Sequence, residues 1–135
     1  EALDGFTLYV DCDVLVADGG TRTASITGAY IASALAVKRL QQAGSLKANP
    51  FQHAVAAISC GVTAAGVVLD MDYAEDSATF ADGNFVMASN GHWIELQVTA
   101  EQRPISTAEH TEMQRLAEIG IRELLALQQT VLEQA

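Results

Sequence analysis

A single α+β domain is predicted for residues 1–135, and three features of the chain predict it. Half of the residues are apolar, enough at this length for one sizeable core. Stretches of two-residue alternation stand beside stretches of helical recurrence, so both strands and helices are required. Their order is strand, helix, four strands, helix, with no internal repeat or low-complexity tract. That order suits one layered sheet with two helices over one of its faces.

The opening F-T-L-Y-V-D-C-D-V-L, residues 6–15, puts Leu8, Val10, Cys12 and Val14 on one side and Tyr9, Asp11 and Asp13 on the other, the pattern of a strand with one polar face. A-D-G-G breaks it, and Thr21 or Thr23 is placed to cap the next element. From Ser25 to Gln42, Ile26, Tyr30, Ala34, Val37 and Leu40 recur at helical spacing. Gly28, Ala29 and Ala32 allow close packing of that helix, and Gly44 is its stop. Ala54–Val62 reads as a buried strand, with Val67–Met71 as its hairpin partner. Asn84–Ala88 and Trp93–Val98 form a second hairpin across S-N-G-H, with Ile94, Leu96 and Val98 on one side and Trp93, Glu95 and Gln97 on the other. The closing helix starts at a capping box, Ser106 with Glu109, and carries Met113, Leu116, Gly120, Leu124, Leu127 and Val131 as its apolar stripe.

Seven basic and seventeen acidic residues give a net charge of −10. Such a surface repels polyanions at long range, so RNA or DNA would need a basic patch, a cation or another chain's basic residues. Cys12 and Cys60 lack metal-ligand spacing and read as buried free thiols of a reducing compartment. No apolar run is long enough for a membrane span and no signal peptide is visible, so a cytoplasmic protein is expected. The chain starts without Met, which suggests a fragment, a processed chain or the second half of something larger.

Two stretches carry candidate chemistry. In A-D-G-G-T-R-T-A-S, residues 17–25, two glycines at a strand-to-helix junction let backbone amides approach an anion. Arg22 adds a planar fork and Thr21 and Thr23 add hydroxyls. A plain glycine turn capped by threonine explains the same residues, and the spacing is neither that of a P-loop nor of a dinucleotide fingerprint. The second stretch is acidic. Asp70 and Asp72 alternate at a strand end, Glu75 and Asp76 follow in a loop, and Asp82 precedes the next strand. Carboxylates so grouped hold Mg²⁺ or Mn²⁺, act as an acid, or form an ordinary acidic surface loop. His53, His92 and His110 share no spacing and read as surface residues; Trp93 reads as sheet packing. Ser59 and Cys60 lie in a core strand, which makes neither a nucleophile.

Taken together, D-C-D-V-L-V-A-D-G-G-T-R-T-A-S-I-T-G-A-Y, A-V-A-A-I-S-C-G-V, L-D-M-D-Y-A-E-D-S-A and I-E-L-Q-V-T-A-E resemble the C-terminal half of bacterial ribonuclease PH across almost the whole chain. The resemblance implies a ribosomal protein S5 domain 2-like fold, a mixed sheet with helices on one face, of which this chain is about half. It implies a phosphate-dependent 3′-to-5′ exoribonuclease that trims precursor tRNA and releases nucleoside diphosphates. Mg²⁺ (or Mn²⁺) is the implied cofactor, inorganic phosphate the co-substrate, and a hexameric homo-oligomer the implied assembly. Gly20, Thr21 and Arg22 then match the phosphate-binding motif. Asp76 and Asp82 match the acidic pair that assists the metal and protonates the departing 3′ oxygen, with Asp70 and Asp72 as supporting neighbours. The N-terminal half would have to be supplied as a separate chain or fragment, and this chain alone should be inactive.

Two positions depart from the family pattern. Gly83 stands in D-G-N-F-V where D-M-N-V-V is usual, an exchange that loosens the neighbouring Asp82. Val98 stands in L-Q-V-T-A-E where the family has V-Q-G-T-A-E, an exchange that risks overpacking near the site. They favour the alternative, a non-catalytic structural or RNA-binding subunit. A small phosphate- or metal-binding domain unrelated to RNA is a third reading of the residues taken without the resemblance.

Overall fold

A computed structural model describes residue 3 and residues 5–135. Helix α1 spans Thr21–Gln42 and strands β1 and β2 span Val55–Thr63 and Gly66–Leu69. A short helix α2, Tyr73–Ala78, leads to strands β3 (Ala81–Ala88) and β4 (Trp93–Ala100), and helix α3 (Thr107–Gln134) closes the chain. The sheet order is β2-β1-β3-β4, and every pairing is antiparallel. The predicted α+β class and S5 domain 2-like fold hold. The sheet is antiparallel within the described residues rather than mixed, because the β1–β2 and β3–β4 connections are tight hairpins and α2 merely returns the chain to the far side of β1.

Alternation in β1 sorts the two faces. Ile58, Cys60 and Val62 join Phe85, Met87 and Ala81 of β3 in the core, closed by Met113, Ala117 and Ile121 of α3. Gly120 makes this close approach possible: a methyl group there would lie 2.6 Å from Ile58 Cδ1. The α3 stripe is therefore rotated from the predicted one. Leu127 and Val131 are exposed, while Ala117, Ile121 and Gln128 are buried. Apolar content alone misplaces it; residues one turn from Met113 and Gly120 have the reach. The Ser106 capping box is present as expected, with Glu109 returning a bond to the Ser106 amide at 2.7 Å.

Helix α1 departs from the expectation that both helices share one face. β2 is short, so the first half of β1 has an open edge. There Thr27 Oγ1 accepts from the Ala57 amide at 3.0 Å and donates to the Ala57 carbonyl at 3.1 Å. α1 is thus fastened to the open part of the β1 edge through Thr27. Gln128 of α3 ties the arrangement by donating to the carbonyls of Thr27 and Val55, both at 3.0 Å.

The predicted first strand does not pair. Residues 6–14 are extended but bond to no neighbour strand, and Tyr9, Leu15 and Val16 are almost fully exposed. A strand needs a partner to satisfy its backbone, and this segment runs along none of the sheet's open edges. It lies instead beside α1, the two lining a cleft of about 480 Å³ whose α1 wall is Ala24, Gly28, Ala29 and Ala32. Cys12 is consequently exposed, not buried. The β4 expectation also shifts. A bulge between Val86 and Met87 sets Trp93 opposite Met87, so Trp93 turns to the core and packs edge-on to Phe85 while Ile94 is exposed.

Candidate functional site

The face of the sheet opposite α3 is polar at one end. Ser59 of β1 is opposite Asn84 of β3, and Gly61 is opposite Asp82. Asp82 is opposite Thr99 of β4, so these polar side chains share one side. Asp82 lies within β3, not before it, and its position in the ladder fixes the direction of its carboxylate.

Above this patch sits the turn before α1. Gly19 has no room for a side chain, since a methyl group would run into the Met71 carbonyl oxygen. Gly20 takes a left-handed conformation, φ 68°, and is the helix N-cap. Asp18 Oδ1 accepts from the amides of both Gly19 and Tyr73, which fastens the turn to the start of α2. The helix begins at Thr21, earlier than expected, so neither threonine is its cap. Thr23 Oγ1 donates back to the Gly20 carbonyl at 2.9 Å, and no side chain caps the first-turn amides.

Helix α2 replaces the expected acidic loop. Asp72 is its N-cap, accepting from the Glu75 amide at 2.8 Å, and Glu75 returns the bond to the Asp72 amide at 3.2 Å. The capping role accounts for both carboxylates. Asp70 follows β2 with φ 53° and donates its amide to the Ser59 carbonyl. Neither Asp70 nor Asp72 lines the polar cleft. Asp76, one turn into α2, does.

Gly20, Thr21, Arg22, Asp76 and Asp82 thus line one cleft of about 150 Å³, with Ser59, Asn84 and the Met71 side completing it. Four separate segments converge there. A larger cavity of about 600 Å³ between Tyr30 of α1 and the C-terminal part of α3 contains none of these residues.

Arg22 has a partner that the sequence did not suggest. Its two terminal nitrogens donate to Glu95 of β4 at 2.7 and 2.8 Å, a fork-to-fork pair on the cleft side of the sheet. The hydrogen bond to Glu95 raises the Arg22 pKa, and the same bond holds the Glu95 carboxyl below its ordinary range. Glu95 keeps the side that alternation gives it, with Gln97, and what the sequence does not show is that Arg22, 73 residues earlier, reaches it. Ser59 is equally inconspicuous in the sequence, since its neighbours are all apolar; the signal is its phase, opposite to Cys60 and in step with Asp82. Cys60 on the other face is inert, its thiol pushed up to about 12 by burial and by the charge of Asp70.

The two departures from the family pattern face each other: Gly83 is the cross-strand partner of Val98. A methyl group on Gly83 would lie 2.8 Å from Phe85 Cε2 and 3.1 Å from Met113 Cε, in the core. Val98 packs against the same core. Bulk has moved from one strand to its neighbour on the α3 side. Gly83 is buried within β3 and its backbone lines the cleft beside Asp82, while the Val98 side chain packs on the core side.

Among the described residues, no three carboxylate, histidine or cysteine groups form a metal cluster. Two carboxylates are nevertheless a donor set that suits Mg²⁺, an ion that keeps several waters and takes phosphate oxygens as its remaining ligands. His53 and His92 meet at Asn90, at 3.2 and 3.3 Å, on the exposed β3–β4 turn and away from the cleft.

These features define a class: an α+β domain in which an uncapped helix N-terminus, an arginine and two carboxylates line one cleft. Residues 53–123, just over half of the chain, match domain 2 of the 3′ exoribonuclease family, and the chain belongs to that family. Rice (Oryza sativa) Rrp46 has the same fold, with a TM-score of 0.63 and 21% sequence identity over 86% of this chain. The chain spans 49% of that protein's length.

Proposed function

We propose that the chain supplies the phosphate and acidic side of a phosphorolytic 3′-to-5′ exoribonuclease acting on RNA, with precursor tRNA 3′ ends as substrate. One observation carries the reading: Thr21 and Arg22 at the start of α1 and Asp76 and Asp82 from two other elements line a single cleft. Inorganic phosphate sits against the first-turn amides of α1, the Thr21 hydroxyl and Arg22, where helix and guanidinium charges are complementary to it. One of its oxygens attacks the terminal phosphodiester; the bond to the departing 3′ oxygen breaks and that oxygen takes a proton delivered at Asp76 or Asp82. A nucleoside diphosphate leaves. Asp76 and Asp82 would hold Mg²⁺ or Mn²⁺, which would supply charge neutralisation at the phosphoryl oxygens and would let RNA approach an acidic surface.

The remainder of the active site belongs to a second polypeptide or segment, because the chain covers only 49% of the length of Rrp46. The exposed run 6–16 is where that half docks, and a hexameric ring in the cytoplasm is the assembly this reading favours. Among the described residues, no helix is long and apolar enough to cross a membrane. The deciding assay gives 3′-tailed RNA, phosphate and Mg²⁺ to the chain combined with its completing half. Nucleoside diphosphate should be released, and Asp82→Asn should lower the rate by about a hundredfold or more. No diphosphate from the complete assembly would favour the non-catalytic subunit.

A further inference from the structure

We infer that Ser59 is an additional phosphate ligand, a hydroxyl donor placed under the turn that starts α1. The inference rests on the reading of the cleft as a phosphate site and adds a residue to it. Ser59 is 5% exposed, and its Oγ has no hydrogen-bond partner among the described residues. A buried hydroxyl without a partner is rare and unfavourable unless something outside the chain completes it. The hydroxyl faces the cleft floor together with Gly20, and a methyl group on Gly20 would sit 3.1 Å from Ser59 Oγ. On the other side of that glycine are the uncapped amides of Thr21 and Arg22.

The donors therefore surround one position. Backbone amides approach from the helix, the guanidinium from the β4 side and the hydroxyl from beneath. Asp76 and Asp82, when ionised, accept only, so they leave an oxyanion to these donors. A tetrahedral oxyanion offers acceptors in several directions at once, and this is what a separate hydroxyl below the helix end suits. Inorganic phosphate and the RNA phosphodiester share this chemistry. The position beneath the helix N-terminus selects the incoming phosphate, because a diester there would have to thread its sugar past Gly20 and Met71.

Inorganic phosphate binding to the chain, measured by calorimetry against chloride at equal ionic strength, tests this with Ser59→Ala and Arg22→Ala. Ser59→Ala should weaken phosphate about tenfold, and without phosphate it should melt at the same temperature as the parent or higher, since it removes an unpaired hydroxyl. In the complete assembly the KM for phosphate should rise while the KM for RNA stays constant. Unchanged phosphate affinity in Ser59→Ala, with loss in Arg22→Ala, would overturn the role of Ser59 and leave the phosphate cleft standing. A raised KM for RNA alone would assign the hydroxyl to the diester and refute the proposal. If the parent chain binds phosphate no better than chloride, both readings fall. If phosphate binds as described yet no diphosphate is ever released, only the enzymatic reading falls.

Discussion

Arg22 is the residue on which the cleft turns, and Glu95 holds it. The same two nitrogens that would grip phosphate already grip a carboxylate at 2.7 and 2.8 Å. Phosphate must either share the fork or displace Glu95, so the pair sets an anion-binding threshold. Glu95→Gln should tighten inorganic phosphate binding roughly two- to fivefold, the range of an exposed ion pair. Calorimetric titration reads it directly, and weaker binding in the variant would show that Glu95 positions Arg22 rather than competes for it. The second residue-scale prediction concerns Gly83 and Val98. Gly83→Met alone should destabilise by about 1–3 kcal/mol through overpacking, and Val98→Gly by a comparable amount through lost packing. The double variant should recover about 1 kcal/mol or more of the summed loss in urea unfolding. Strict additivity would mean the two positions are not exchanging volume. The family resemblance singled out Arg22, Asp76 and Asp82, and the fold brings all three to one cleft. Sequence reasoning missed Glu95 and Ser59, whose meaning comes from strand register, a non-local property.

At the scale of elements, the termini of the helices divide their labour. α2 and α3 begin with complete capping boxes, and α1 begins with none. The capped ends are structural and the uncapped end is available. Ser106→Ala should cost α3 about 1 kcal/mol in thermal or urea unfolding. The pH dependence follows from Glu109, whose carboxyl is held at about 2 by bonds from Arg103 and then from Ser106, below its ordinary 4.5. A carboxyl lowered in the folded state adds stability that is present above its unfolded pKa and lost as pH falls through its folded one. The parent should therefore lose stability between about pH 4.5 and about pH 2, and Glu109→Gln should flatten that part of a melting-temperature profile. An unaltered slope would assign the acid sensitivity to other carboxylates. The two long helices and the four sheet strands were legible from periodicity, while α2 and the unpaired run 6–14 were not. Nor were the edge position of α1 and the bulge before Glu95, since each depends on where a neighbouring strand stops.

At the scale of the whole molecule, a charge of −10 keeps polyanions at a distance. The isolated chain should show no measurable RNA retention in a filter or mobility assay at physiological salt, and adding the completing half should restore it. Docking should run through the extended segment. Val14→Asp is expected to abolish co-elution of the two halves in size-exclusion chromatography while leaving the phosphate titration of the chain intact. Loss of both together would mean the segment supports α1 itself. The sequence showed this run as a strand; what it could not show was the absence of a pairing partner among the described residues.

That unpaired run also bears on how the protein must be handled. Phe6, Leu8, Val10, Val14 and Val16 present exposed apolar side chains on a run that pairs with no strand. Such a surface is a template for copies of itself, and overall negative charge guards against it only while salt is low. Turbidity of the isolated chain should therefore rise with added sodium chloride, the reverse of ordinary salting-in. Co-expression, rather than refolding of separate halves, is the route by which a soluble preparation should be obtained.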